Sequence, residues 1–274
     1  MLYGKTEKEV IEMTELLIEE FSKIGLHLNA SKTKILTIDV IDYDFLEIGG
    51  DMVEILHGSC THRFLGRHLP GILENRGDVE IKHRIQVAWM KYGQFSRIFC
   101  NRNTSIKLRL KLFDAIVSPT LLFGVSILPV CQSHLEKLDV VQRKMLRKIV
   151  GWVRLRTDNW ETTMRRMSVR LKRALDHYPI TSWSDKVLKA QWKYGVRLKN
   201  LPMSSWPVQA TRWKIAEIND DSCLYECRRN PGHPLCRWED KMAKFSRTHL
   251  GGDWYDVAMP RFLQGMTQFI GNYT

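Results

Sequence analysis

Gly25-Leu26-His27-Leu28-Asn29-Ala30-Ser31-Lys32-Thr33-Lys34-Ile35-Leu36 is the stretch on which the fold of this chain turns. A periodic apolar stripe, Val10, Met13, Leu17, Phe21 and Ile24, runs into it with helical steps of three and four. Thr6 and Glu9 form a capping box at the start of that helix, and Gly25 is its natural C-terminal cap. Beyond Gly25 the period changes. Leu26 and Leu28 share one strand face, Asn29-Ala30-Ser31 is a polar turn, and Thr33 to Ile38 is apolar and β-branched enough for a partner strand. Lys32 and Lys34 then sit on a turn and a strand edge, where an ammonium group can reach a phosphate.

Working outward, Phe45–Ile48 and Met52–Leu56 flank Gly49-Gly50-Asp51, a hairpin signal. Thr61 to Leu69, with Phe64-Leu65-Gly66, is a further short strand. Residues 1–70 therefore read as an α+β subdomain, one helix on a small antiparallel sheet. After Pro70-Gly71 the pattern becomes helical. Asp78 opens a helix with Ile81, Ile85, Ala88, Tyr92 and Phe95 on one side and Lys82, Arg84, Lys91 and Arg97 on the other. Ile106 to Leu128 is a second helix, interrupted at Ser118-Pro119, with Lys107, Arg109 and Lys111 in its first turns. Its second half, Leu121 to Val130, is apolar on every face and belongs in a central core. Ser133 and Glu136 form a capping box for a helix that Gly151 ends. Asp158–Leu175 and Ser184–Leu198 are basic amphipathic helices, and short helices come next near Trp206–Glu217 and Arg237–His249. The expected organisation is 1–70, 71–150 and a basic helical extension over 151–274.

At 274 residues the chain can bury a full core, and 44% hydrophobic with 26% charged residues is ordinary for a globular protein. No apolar run reaches spanning length, and the N-terminus has no secretory pattern. The six cysteines are mostly far apart, which suits reduced thiols inside the cell, in nucleus or cytoplasm, and not a secreted protein. Net charge is +12, unevenly spread: Lys82 to Lys199 carries 25 Lys/Arg against 7 Asp/Glu. A folded block this basic favours a polyanionic partner over merely solvated helix faces.

Candidate chemistry is sparse. Cys223, Cys227, His233 and Cys236 have the donor types of structural zinc, but their short irregular spacing favours unrelated loop residues, and no metal is expected. Asp39, Asp42 and Asp44 read as turn-capping loop residues rather than a metal set. No metalloprotease helix, phosphate-binding glycine loop or nucleophile elbow is present. Most aromatic residues fall at core positions; Trp152, Trp160, Trp183 and Trp206 are looser candidates for stacking on bases.

Taken in order, the motifs resemble the reverse transcriptase of non-LTR (LINE-type) retrotransposons over nearly the whole chain. The helix leading into Gly25–Leu36 resembles the palm segment after the catalytic Ala-Asp-Asp box, and Phe64-Leu65-Gly66 resembles the primer-gripping strand. Ser118–Gly124 and Leu138–Gly151, with Gln142, Arg143, Leu146, Arg147 and Ile149, resemble thumb motifs. Arg237-Trp238-Glu239-Asp240 and Trp254–Ala258 resemble the family's C-terminal pair. The resemblance implies a truncated palm, a helical thumb and an extension. It implies an RNA and DNA template–primer as partner, with no membrane. It also implies that Lys32 could help protonate departing pyrophosphate, while Arg84, Lys91, Arg97, Lys107, Arg109 and Lys111 track phosphates. Met1-Leu2-Tyr3-Gly4 resembles the residues just after the Ala-Asp-Asp box, so the carboxylates that hold magnesium in the complete family enzyme are expected to be missing. The piece is then inactive alone and holds no cofactor. The other reading left open is a helical nucleic-acid-binding protein without chemistry.

Overall fold

A computed structural model describes residues 2, 4, 6–37, 41–57, 60–70, 76–212 and 237–273. The chain is α+β and falls into two compact units, Met1–Glu80 and Ile81–Thr274.

In the first unit, α1 spans Glu7–Ser22, and the Thr6 hydroxyl accepts the Glu9 N–H at 3.2 Å. The helix closes as the sequence predicts. Gly25 takes φ 77°, its N–H bonds Ser22 O, and the Leu26 N–H reaches back to Phe21 O, the paired bonds of a Schellman cap. The apolar stripe is only half covered: Thr14 is the buried residue of α1, and Phe21 and Ile24 are exposed. The expected strand at Leu26 and Leu28 does not form; residues 26–29 have no regular secondary structure. Instead Asn29 organises a turn, its Oδ1 accepting from the Lys32 N–H and its carbonyl from the Thr33 N–H and hydroxyl. Local side-chain bonds of this kind compete with ladder formation.

β1 (Lys34–Leu36) pairs in parallel with β3 (Asp51–Leu56), and β3 pairs antiparallel with β2 (Phe45–Ile48), giving the order β1-β3-β2. Gly49 and Gly50, at φ 59° and 85°, make the two-residue hairpin turn expected there. Ile48, Val53 and Ile55 share one buried face of the sheet, and Leu56 is buried on the other. A separate hairpin, β4 (Thr61–Phe64) with β5 (Arg67–Pro70), pairs Phe64 with Arg67. Thus Leu65 and Gly66 are a turn, not part of one strand. The Glu80 carboxylate is buried and accepts the His68 N–H at 2.8 Å.

The second unit is helical: α2 (Arg76–Gln94, entering from the first unit), α3 (Ser96–Phe99), α4 (Ile106–Leu122), α5 (Gln132–Val150), α6 (Trp160–His177), α7 (Trp183–Lys199) and α8 (Trp206–Arg212). After these come α9 (Asp240–Phe245), a π-turn at Ser246–Leu250, α10 (Met259–Gln264) and α11 (Met266–Tyr273). Helix α4 passes through Pro119; its stop is Gly124 at φ 70°, with a 3₁₀ turn at Val125–Ile127 beyond it. Leu121, Val125, Leu128 and Val130 are buried as expected, but Phe123 and Ile127 are exposed, so the segment is core on one side and not on every face. Helix α5 starts at Gln132 rather than after Ser133, because the Cys131 N–H donates to His134 Nδ1 at 3.3 Å and closes the turn earlier.

One core runs through this unit, so the expected thumb and extension share it. Trp192 stacks on Phe262 with centroids 4.2 Å apart, and Trp183 stacks on Phe113 at 6.1 Å. Residues of α5 dock the start of α7. Asp139 accepts from the Ser184 N–H and hydroxyl; the Gln142 amide donates to Thr181 O and accepts the Trp183 N–H. Gln142 of the thumb-like motif is therefore an interior joint. Among the described residues no helix is long and apolar enough to cross a membrane.

Candidate nucleic-acid interface

In the first unit Lys32 is exposed on the Asn29 turn. Lys34, two residues on, is held inward, its ammonium 2.5 Å from Glu54 Oε2 on the neighbouring strand. The side chain is 15% exposed, so the two lysines do not form a common outward pair. At the tip of the β4–β5 hairpin Leu65 has φ 48° and is 81% exposed, with Gly66 at φ 78° and Phe64 also exposed. Positive φ at both central positions is a type I′ turn, which Asn-Gly or Gly-Gly normally fills. A leucine there costs about 1–2 kcal/mol in backbone strain, and its apolar side chain faces solvent.

In the helical unit the six expected phosphate-tracking residues divide. Arg97, Lys107 and Lys111 are exposed. Lys91 is half-buried over the Phe95 ring at 5.3 Å. Arg84 is a correction: it lies on the core face of α2, 5% exposed, its guanidinium 5.0 Å from the centre of the Phe123 ring. Its position beside Ile81, Ile85 and Ala88 on the helical repeat explains this. Arg109 also points inward at 8% exposure. Its Nε donates to Thr104 O at 3.1 Å, and Nη1 donates to Ile149 O at 2.7 Å and Phe99 O at 3.4 Å. Burial lowers its pKa below the usual arginine value. This guanidinium ties α3, α4 and the end of α5 together.

Of the stacking candidates, Trp183 is fully buried and donates its Nε1–H to Ser118 Oγ at 2.9 Å. Trp206 is 82% exposed on α8. Trp152 and Trp160 come together at the surface, 39% and 63% exposed, with ring centroids 5.8 Å apart. They stand at the head of a basic face that the phosphate-tracking expectation did not include. Thr162, Arg165, Arg166, Val169, Arg170 and Arg173, spaced by three and four along α6, line an open groove of about 610 Å³. The spacing is visible in the sequence as basic amphipathicity; which of the arginines are free is not. Arg165 pairs with Glu161, and Arg166 pairs with Asp158 while donating to Val153 O. Arg170 and Arg173 have no carboxylate partner among the described residues.

Asp44 lies 3.5 Å from His57 Nε2, and Asp39 falls outside the described residues. So do Cys223, Cys227, His233 and Cys236. Among the described residues no three His, Cys, Asp or Glu converge to hold a metal ion, and Cys60, Cys100 and Cys131 are free thiols.

The chain is similar to an uncharacterized transposon-derived protein of Caenorhabditis elegans. The two are 24% identical over 234 residues, which is 85% of this chain and 77% of that protein. No family model matches the chain, and no solved structure matches it.

Proposed function

We propose that this chain is the part of a non-LTR retrotransposon reverse transcriptase that lies beyond the catalytic carboxylates: the end of the palm, the thumb and a basic extension. Its work is to hold an RNA and DNA template–primer inside the cell rather than to add nucleotides. The observation that carries the reading is the likeness to a transposon-derived protein over 85% of the chain, a span too long to lie in either structural unit alone. The motif order supports it, as does the exposed hairpin tip at Phe64-Leu65-Gly66, where a primer end would be gripped. Exposed Arg97, Lys107 and Lys111 supply the phosphate contacts, and Lys32 adds an exposed ammonium on its turn in the palm-like part. Lys34, Arg84 and Arg109 carry structural bonds instead.

In the family, magnesium on paired carboxylates stabilises attack of a primer hydroxyl on a nucleotide phosphate. The donors described in this chain do not fit that ion, since Asp44 faces His57 and no carboxylate set converges. No polymerase step is assigned to it. The test is a filter-binding titration of an RNA–DNA hybrid over salt. We expect binding at low salt that falls steeply as salt rises, by about 0.9 in the log–log slope for each phosphate neutralised. Absence of binding at low salt overturns the reading. A second reading, a helical nucleic-acid binder outside any polymerase, rests on the self-contained core of residues 81–274. It predicts equal affinity for the hybrid and for duplex DNA.

A further inference from the structure

We infer that the groove of α6, with Gly151 and Trp152 at its head, is a binding site for single-stranded nucleic acid. This deepens the proposed function and rests on it. Three observations converge. First, the Nη2 atoms of Arg102 and Arg170 lie 3.6 Å and 3.8 Å from the point where a Cβ on Gly151 would stand, so they are within about 7.4 Å of each other. Gly151 has φ 95° and no side chain, which leaves the space between the two guanidinium groups open. A phosphate placed there can offer one oxygen to each, at the 2.7–2.9 Å of a charge-assisted bond. Neither arginine has a carboxylate partner among the described residues.

Second, the next residue, Trp152, pairs with Trp160 at the first turn of α6, and both rings are open to solvent. Indole faces beside a phosphate-binding pair suit unstacked bases, whereas the bases of a duplex are already stacked on one another. Third, the segment that carries Gly151 and Trp152 is fixed to α6. Arg166 donates to Val153 O and forms an ion pair with Asp158 Oδ2, both at 2.7 Å. The aromatic pair and the arginines are thus held on one frame. From Trp160 to Arg173 that frame runs for about 20 Å at the helical rise of 1.5 Å per residue, long enough for several nucleotides. An acidic protein surface would satisfy the arginines but leave the two indoles without a purpose. A structural role for Arg102 and Arg170 at the negative end of α5 is separable by experiment.

The experiment is fluorescence anisotropy on the full chain, with a labelled oligothymidylate of about ten nucleotides and a blunt duplex of the same length. Arg102→Ala with Arg170→Ala should weaken single-strand binding at least tenfold and flatten its salt slope by about 1.4. Trp160→Leu removes a largely exposed ring and keeps apolar cover. It should weaken single-strand binding between about 5- and 160-fold, leave the duplex within twofold, and lose most of the tryptophan quenching that the parent shows on titration. Equal losses on both probes, or none on either, overturn the inference while the proposed function stands. A double-arginine variant that melts lower than the parent yet binds the single strand unchanged also overturns it, because the arginines then serve α5. If the parent binds neither oligonucleotide nor RNA–DNA hybrid, the site and the proposed function fall together.

Discussion

Arg109 separates the two roles that a basic residue on a thumb-like helix can have. Truncation to alanine removes an interior guanidinium that donates to three backbone carbonyls, at 2.7, 3.1 and 3.4 Å. A bond from a charged donor contributes roughly 1.5–3 kcal/mol, and the 3.4 Å contact contributes least. The guanidinium's own desolvation offsets part of the total. The expected net loss is about 3 kcal/mol, toward the lower end for breaking one side of a buried charged cluster. In a unit of this size that lowers the melting temperature by about 6–12 °C. Lys111, two residues on, is exposed, and no carboxylate partners it among the described residues. Lys111→Ala should leave the melting curve in place and reduce the salt slope of hybrid binding by about 0.9. Both variants would be measured by thermal and urea unfolding, monitored by circular dichroism, and by filter binding at several salt concentrations. If Arg109→Ala melts with the parent while its salt slope falls by about one, the assignment of Arg109 to the interior is wrong.

Two further outcomes test the first unit and a half-buried carboxylate. Leu65→Asn gives the type I′ turn the Asn-Gly sequence it favours and should stabilise the β4–β5 hairpin by about 1 kcal/mol, read as slower amide exchange over residues 61–70. If instead exchange quickens, the strained turn has been misassigned; a fall in hybrid affinity beside slower exchange supports a contact made by the leucine itself. Glu239 is pushed above its ordinary 4.5, first by burial, while the Trp254 Nε1–H that it accepts at 3.1 Å pulls the other way. A raised native value means that its contribution to stability is complete below 4.5 and is lost as pH rises through the native value. Glu239→Gln should therefore melt at or above the parent at neutral pH, and the difference should close as pH falls toward 4.5. A variant well below the parent at neutral pH would show that the ionised carboxylate is stabilising.

Much of the architecture is local and legible without coordinates. The Thr6 cap, the Gly25 stop, the Gly49-Gly50 hairpin and the capping of α5 by Gly151 depend on a few adjacent residues. The α+β division also comes from the change of apolar period near residue 70. The failures share a cause. Leu26 and Leu28 have strand-like alternation, but no strand among the described residues pairs with them, and the Asn29 turn satisfies the backbone of Lys32 and Thr33. Leu65-Gly66 looks continuous with its flanks because nothing in a linear chain shows which strand folds back.

Elements and the basic block are encoded in short runs of residues, whereas of the four rings offered for stacking the fold exposes Trp152, Trp160 and Trp206 and buries Trp183. Which charges remain available is settled by the packed fold. Lysine and arginine read alike in a list, yet the helical repeat turns Arg84 to the core and three backbone carbonyls claim Arg109. Glu54, twenty residues away, claims Lys34, whereas Arg102 and Arg170 face each other across Gly151 with no carboxylate partner among the described residues. Partnership between residues so far apart along the chain is fixed by packing, and packing is a property of the folded whole.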